Sequence, residues 1–369
     1  MKKKISQKKI KSQLLEMIDD MSKVDPVFKP GNYWKFYEKN ILKQILKEDL
    51  DLFRSWEGGA GTGSIHSFGG GEMELQRRYN YYFHPFEKQF KKIDNNFIIK
   101  IYNSLINRLS KYNKFFSYLS IRTSLARKIF FDKIKSEFDM KYDLIELINP
   151  ELLKAKDSNF GDPIGFIRDK KFYTNIFLNI LIEYHHINKN LKNIKIKNVV
   201  ELGAGTGILA NIFLQLNKRI KYFIIDIPPT IFITEYYLRN LGYRIYGYSE
   251  LKKGNKNFED FDIILLPTWK LNLLKNIDID LFINQASFQE MEKYQSLHYL
   301  NFFRENTKYI FLKNAINGHL KAKGEGKFGV INPTRMVDCE KVLKKTHKII
   351  SKEIFNYHKN YRLLFKSFT

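Results

Sequence analysis

Residues 197–210 contain the feature that most constrains how this chain of 369 residues can fold. An apolar run leads into Gly203, Gly205 and Gly207, and a second apolar run with helical spacing follows. The pattern predicts a buried strand, a tight turn and a helix. Because glycine has no Cβ atom, such a turn lets a ligand lie against bare backbone at the N-terminus of the helix.

Two carboxylates accompany this turn. Glu201 stands two residues before the first glycine, and Asp226 ends the next predicted strand, 221–227. Asp226 follows Gly207 at close to the ~20-residue spacing of an acidic residue that accepts hydrogen bonds from ribose hydroxyls. We interpret the unit as a nucleotide-type cofactor site. The alternative is an ordinary strand–helix–strand unit with a surface aspartate.

Strand-like and helix-like segments alternate through the rest of the second half. This alternation predicts an α/β, Rossmann-like and mostly parallel sheet with helices on both faces. Segments 347–355 and 361–368 predict an antiparallel hairpin at the C-terminal end. We expect two domains, a helical N-terminal substrate or lid region at 1–165 and a cofactor-binding domain at 166–369.

Composition limits the remaining choices. The single cysteine, Cys339, excludes an intrachain disulfide and a cysteine-built zinc site. No apolar run approaches the ~20 residues of a membrane span, and the basic start lacks the apolar core of a secretory signal, so we expect a cytoplasmic protein. The net charge of +24 is compatible with nucleic acid, but the lysines are scattered and the chain is rich in Asn and Ile. Compositional drift is therefore the favoured explanation.

Four segments together resemble the bacterial sugar O-methyltransferase family, whose members use S-adenosylmethionine (SAM). They are Gly161-Asp162-Pro163, Val200–Gly205, Ile224–Pro228 with Glu235–Leu238, and the more specific Ile283–Met291, Ile-Asn-Gln-Ala-Ser-Phe-Gln-Glu-Met. The resemblance implies an enzyme that transfers a methyl group from SAM to a sugar hydroxyl in surface-glycan synthesis. It implies S-adenosylhomocysteine (SAH) as the product and a sugar, nucleotide-sugar or glycan as the acceptor. Alternatives are an RNA methyltransferase and a non-catalytic SAM-binding protein.

The expected cofactor contacts lie on the glycine turn and at the ends of neighbouring strands. They are Glu201, Gly203, Ala204, Gly205, Gly207, Asp226, Ile227, Pro267 and Asn284. No residue is assigned to a metal, and both metal dependence and oligomeric state stay open.

Glu290 is the first candidate for the base that takes the proton of the acceptor hydroxyl, and His319 is the second. Each has a structural alternative. Glu290 lies three residues after Ser287, which is the spacing of a helix capping box, and His319 has the setting of a solvated loop histidine. Five weaker candidates for substrate binding are Ser287, Gln289, Tyr79, Tyr82 and Arg168.

Overall fold

The structure is a computed structural model. It describes residues 7–54, 91–93, 95–110, 112, 119–163, 165–192, 194–217, 219–254, 257–355 and 359–368. Statements below refer to these residues.

The N-terminal part of the described chain is helical. Its α-helices are α1 (Gln7–Ser22), α2 (Asn32–Lys47), α3 (Phe97–Ser110) and α4 (Ile121–Ile148). Short 3-10 turns occupy Pro26–Phe28, Leu50–Leu52 and Pro150–Lys154. In the first of these turns the side chain of Asp25 accepts a hydrogen bond from Val27 N–H at 2.8 Å. This cap redirects the chain between α1 and α2.

A two-stranded hairpin, β1 (Phe166–Arg168) with β2 (Lys171–Tyr173), precedes the main sheet. The strands of the main sheet are β3 (Asn198–Leu202), β4 (Lys221–Asp226), β5 (Ile245–Tyr246), β6 (Ile263–Pro267), β7 (Ile279–Gln285), β8 (Thr307–Ala315), β9 (His347–Phe355) and β10 (Asn360–Ser367). Their order is β5-β6-β4-β3-β7-β8-β10-β9. The strands from β3 to β8 pair in parallel, and β10 is antiparallel to both β8 and β9.

Helices cover both faces of this sheet. They are α5 (Asn175–Asn190), α6 (Ile208–Leu216), α7 (Pro228–Asn240), α8 (Tyr248–Lys252), α9 (Lys293–Phe303) and α10 (Met336–Leu343). One hydrophobic cluster joins α5, α6 and α7 to the first face, and a second joins α9 and α10 to the other face. The predicted α/β Rossmann-like sheet with an antiparallel C-terminal hairpin is confirmed.

The first cluster crosses the predicted domain boundary. Leu14 of α1 and Ile41 of α2 are buried in the same cluster as Ile212 and Tyr236 of the sheet region. The boundary at residue 165 stays a prediction, and the N-terminal helices share one hydrophobic core with the sheet.

The strand order places a ligand site at a defined point of the sheet. From β3 the chain moves outward to β4 and β6, and it then returns to the other side of β3 with β7. Ligands in open α/β sheets bind at such a reversal, beyond the carboxyl ends of the strands. The glycine turn after β3 lies at this reversal.

Candidate functional site

A cavity of about 280 Å³ lies at the carboxyl ends of β3, β4 and β7. Its walls come from the glycine turn, from the ends of these strands and from residues 29–34. The polar and aromatic residues that line it include Lys29, Trp34, Glu201, Asp226, Thr230, Gln285, Ser287 and Glu290. The volume is close to the lower end of the roughly 300–1,000 Å³ typical of small-molecule sites.

The glycine turn depends on its glycines for conformation and for space. Gly203, Gly205 and Gly207 have φ values of 77°, 59° and 80°, which L-residues with side chains rarely adopt. A Cβ atom on Gly203 would lie 2.4 Å from Cβ of Ser287, and one on Gly207 would lie 2.8 Å from Cδ1 of Leu238. The turn therefore brings backbone within contact of the loop after β7. Gly203, Ala204 and Gly205 line the cavity, and Gly207 lies behind it as the N-cap of α6.

Asp226 presents an unpartnered oxygen at the end of β4. The residue is 7 % exposed, and its Oδ1 accepts a hydrogen bond from Ile227 N–H at 2.8 Å. Its Oδ2 is buried and has no hydrogen-bond partner within the described chain, as is also true of Oγ1 of Thr230. Burial raises the pKa of Asp226 to about 7, although the backbone N–H groups of Ile227, Gly205 and Ala204 favour the carboxylate. Such an unpartnered acceptor is costly unless a ligand supplies a donor.

Glu201 is the second carboxyl group of the cavity. It is 4 % exposed, and its Oε2 accepts a hydrogen bond from the hydroxyl of Tyr222 at 2.8 Å. Burial raises the pKa of Glu201 to about 8, and the negative charge of Asp226 acts in the same direction. The Tyr222 hydroxyl opposes this shift because it stabilises the carboxylate. The sequence did not predict a role for Tyr222, which lies on β4 opposite Val199 of β3.

Glu290 is the third carboxyl group. It lies in a 3-10 turn, Phe288–Glu290, and its backbone N–H donates to Ser287 O at 3.0 Å. Burial raises the pKa of its side chain to about 8, while a hydrogen bond from the Trp34 side chain favours the ionised form. Glu290 therefore faces an indole from α2, which no local sequence signal indicated.

Residues 26–34, here called the N-terminal strap, close one side of the cavity. Nε2 of Gln295 donates to Lys29 O at 2.6 Å, and Oγ1 of Thr268 donates to Phe28 O at 2.6 Å. Nδ2 of Asn32 donates to Gly329 O at 2.9 Å. These side-chain bonds fix the strap backbone to segments that follow it by more than two hundred residues.

Besides Gly207, two further predicted cofactor contacts lie behind the cavity wall. Asn284 is fully buried and does not line the cavity. Its Nδ2 donates to Leu202 O at 3.1 Å, and its Oδ1 accepts from Phe288 N at 3.1 Å. It therefore holds the loop after β7. Pro267 is the register partner of Asp226, but the next residue, Thr268, is the one that lines the cavity.

The predicted capping box of Ser287 and Glu290 is wrong. Ser287 makes no side-chain capping bond, and its Oγ donates to Leu202 O at 3.0 Å. The helix α9 begins after Glu292, whose side chain accepts a hydrogen bond from the backbone of Asn332 at 2.8 Å. Gln289, a predicted substrate contact, does not line the cavity because its Oε1 accepts from Ala315 N at 2.7 Å.

His319 does not join Glu290 in the cavity. Its ring lies 4.7 Å from that of Tyr33 and 5.6 Å from that of Phe328, measured between centroids. Burial lowers its pKa below the ordinary value. The solvated alternative is also wrong, because the imidazole is half-buried among aromatic rings and its Nδ1 is buried without a partner in the described structure.

The remaining substrate candidates lie elsewhere or cannot be placed. Arg168 forms an ion pair with Asp143 at 2.6 Å and lies 4.4 Å from the ring centroid of Tyr142, outside the cavity. Tyr79 and Tyr82 fall outside the described residues. Gln285, which was not predicted, lines the cavity with a buried Oε1 that has no partner among the residues described.

The residues described contain no group of three His, Cys, Asp or Glu side chains that could hold a metal ion. Within the described helices, none is long and apolar enough to cross a membrane.

Comparisons with known proteins give matches among solved structures alone. No family model matches the chain, and no curated protein matches it. A SAM-dependent methyltransferase from Clostridium acetobutylicum is similar over 51 % of this chain and 89 % of its own, with 14 % identity and a TM-score of 0.36. The mitomycin 7-O-methyltransferase MmcR is similar over 67 % and 72 %, with 10 % identity and a TM-score of 0.35. Human N-acetylserotonin methyltransferase, solved with SAM, is similar over 53 % and 54 %, with 13 % identity and a TM-score of 0.34.

Proposed function

We propose that this protein is a SAM-dependent O-methyltransferase that acts on a sugar hydroxyl. The observation that carries the proposal is the unpartnered Oδ2 of Asp226, buried in a cavity beside the glycine turn. A ribose supplies two neighbouring hydroxyl donors. Both this carboxylate oxygen and the Thr230 hydroxyl line the cavity without a hydrogen-bond partner among the described residues.

The other residues of the cavity also fit SAM. Glu201 offers a carboxylate for the ammonium group of the methionine part, and the turn offers backbone that no side chain covers. Ile176, Ile180 and Leu209 supply apolar wall. When bound, SAM supplies a methyl group on a sulfonium, an activated centre with a good leaving group. The task left to the chain is chiefly to position the acceptor and remove its proton.

Glu290 is the group that we assign to proton removal. Glu201 lies on β3 and Asp226 ends β4, whereas Glu290 lies in the 3-10 turn after β7. A base works best when its pKa lies near the working pH, and burial raises the pKa of Glu290 to about 8. The Trp34 side chain lines the same cavity and favours the ionised form of this carboxyl group.

The sugar class of the acceptor rests on two observations. The segment Ile283–Met291 resembles that of the sugar O-methyltransferase family. It forms the cavity wall at Glu290, beside the half-buried indole of Trp34. Sugars present C–H faces that suit an aromatic ring and hydroxyls that suit a carboxylate.

Titration calorimetry with SAM and SAH tests the shared premise. We expect both to bind, and we expect Asp226→Asn to weaken both by about tenfold or more, since a charged acceptor is lost. Asp260→Asn, an exposed position, is the matched control. If neither compound binds the unaltered protein, the proposed function is wrong.

Methyl transfer to a panel of nucleotide-sugars, followed with methyl-labelled SAM, tests the acceptor class. We expect label in at least one nucleotide-sugar and its loss with Glu290→Gln. Labelled RNA would instead support the second candidate, an RNA methyltransferase, which the net charge of +24 favours. Filter binding at physiological salt measures that affinity directly, and we expect it to be weak because the lysines are scattered along the chain.

A further inference from the structure

The cavity contains three carboxyl groups that no cationic side chain neutralises. Glu201, Asp226 and Glu290 all line it, and none of them takes part in an ion pair of the described structure. Their hydrogen-bond donors are neutral: the Tyr222 hydroxyl, a backbone N–H and the Trp34 side chain. Buried carboxylates without a counter-charge are unfavourable, so the cavity is suited to a cationic ligand.

The other groups around Glu290 also supply no positive charge that would neutralise its carboxylate. Trp34 from α2 is neutral, and Asp226 at the end of β4 is acidic. From α9 come Gln295 and Tyr299, which are also neutral at pH 7. Lys29 is the basic residue among the described lining residues, and its Nζ donates to Ser22 O at 2.7 Å.

We propose that Glu290 senses the charge of the bound cofactor, being ionised beside the sulfonium of SAM and protonated beside the neutral sulfur of SAH. This inference rests on the proposed function. Glu201 and Asp226 are assigned to the ammonium group and the ribose, which SAM and SAH share. Glu290 is the remaining carboxyl group, and the one whose environment differs between the two ligands.

The proposed methyl transfer leaves the total charge of the cavity unchanged. The bond between sulfur and the methyl carbon breaks, and its electron pair stays on sulfur. A bond forms between the acceptor oxygen and the methyl carbon, and the hydroxyl proton passes to the carboxylate of Glu290. The positive charge on sulfur and the negative charge on Glu290 therefore disappear together. Burial, which raises the pKa of Glu290 to about 8, favours the protonated product state at neutral pH.

Calorimetry of SAM and SAH binding between pH 6 and pH 8, in buffers of different ionisation enthalpy, tests the proposal. We expect SAM binding to release up to about one proton more than SAH binding, because only SAM drives ionisation of Glu290. As pH increases from 6 to 8, the ratio of the SAH Kd to the SAM Kd should therefore rise by up to about tenfold per pH unit. Glu201 and Asp226 are assigned to groups that both ligands share, so the comparison of the unaltered protein with Glu290→Gln isolates the proton of Glu290.

Glu290→Gln should remove the extra proton and flatten the pH dependence of the ratio. Glu305→Gln, an exposed position before β8, should leave both unchanged. If both ligands bind with the same pH dependence, the charge-sensing role is wrong and the proposed function stands. If neither ligand binds, both proposals fail. The unaltered protein alone decides between these outcomes, so the test does not depend on the folding of the variant.

Discussion

The hydroxyl of Tyr222 on β4 donates a hydrogen bond of 2.8 Å to Oε2 of Glu201 on the neighbouring strand β3. Tyr222 is fully buried, so this bond lies inside the hydrophobic core beneath the cavity. It stabilises the ionised form of a carboxyl group that burial otherwise keeps protonated. The proposed binding of the SAM ammonium group by Glu201 therefore depends on Tyr222, a residue that does not line the cavity.

Tyr222→Phe should raise the pKa of Glu201 above its value of about 8, because the carboxylate loses its donor. We expect SAM to bind about tenfold more weakly at pH 7, which calorimetry measures. Tyr237→Phe is the matched control, since Tyr237 is also fully buried but its hydroxyl has no partner in the described chain. Equal effects of the two substitutions would contradict the assigned role of the hydrogen bond.

Gly203→Ala should destabilise the protein by about 2 kcal/mol more than Gly254→Ala does. Both glycines have positive φ values, 77° and 72°, so both substitutions add backbone strain. Only Gly203 has a neighbour in the way, since its Cβ would lie 2.4 Å from Cβ of Ser287, whereas nothing lies within 4 Å of a Cβ on Gly254. Chemical denaturation gives the two free energies of unfolding. Similar values would show that the loop after β7 moves aside easily.

Glu290→Gln should stabilise the ligand-free protein increasingly as pH rises from 5 to 9. The folded-state pKa of Glu290 is about 8, above its ordinary value of 4.5, so the folded protein binds this proton more tightly than the unfolded chain. That contribution to stability is complete at low pH and is lost as pH rises through 8. Gln cannot ionise and keeps its neutral hydrogen bonding. Thermal melts across this range provide the measurement, and a variant less stable than the parent at pH 9 would refute the expectation.

Gln295→Ala should loosen the N-terminal strap and increase the dissociation rate of SAM. Nε2 of Gln295 lies 2.6, 3.3 and 3.4 Å from the carbonyl oxygens of Lys29, Val27 and Pro26, so one side chain holds the turn. Loss of these bonds should cost about 1–3 kcal/mol of stability. Hydrogen exchange of residues 26–34 should become faster.

Gln215→Ala is the control for that experiment, because its Nε2 bonds Lys156 O at 2.9 Å away from the cavity. It should leave strap exchange and SAM dissociation unchanged. If Gln295→Ala also leaves both unchanged, the strap is held by Thr268 and Asn32 without help from Gln295.

The parts of the site that the sequence revealed are those that the local chain determines. The glycine turn and Asp226 follow directly from strands whose apolar patterns are continuous, and the structure places both at the cavity. Trp34 and Gln295 could not be foreseen, because each acts on a segment more than two hundred residues away. Asn284 was misplaced for a different reason. Its position at a strand end indicates exposure to a ligand, but its amide is used to satisfy buried backbone groups.

The N-terminal strap also has a consequence for biosynthesis. Residues 26–34 leave the ribosome well before Thr268 and Gln295, the side chains that later bind their carbonyl groups. The nascent chain must therefore keep these carbonyls hydrated until the sheet has formed, and the ligand cavity acquires its final wall late in folding. A ligand present during translation would meet an open cleft first and be enclosed only when residues 26–34 bind to Thr268 and Gln295.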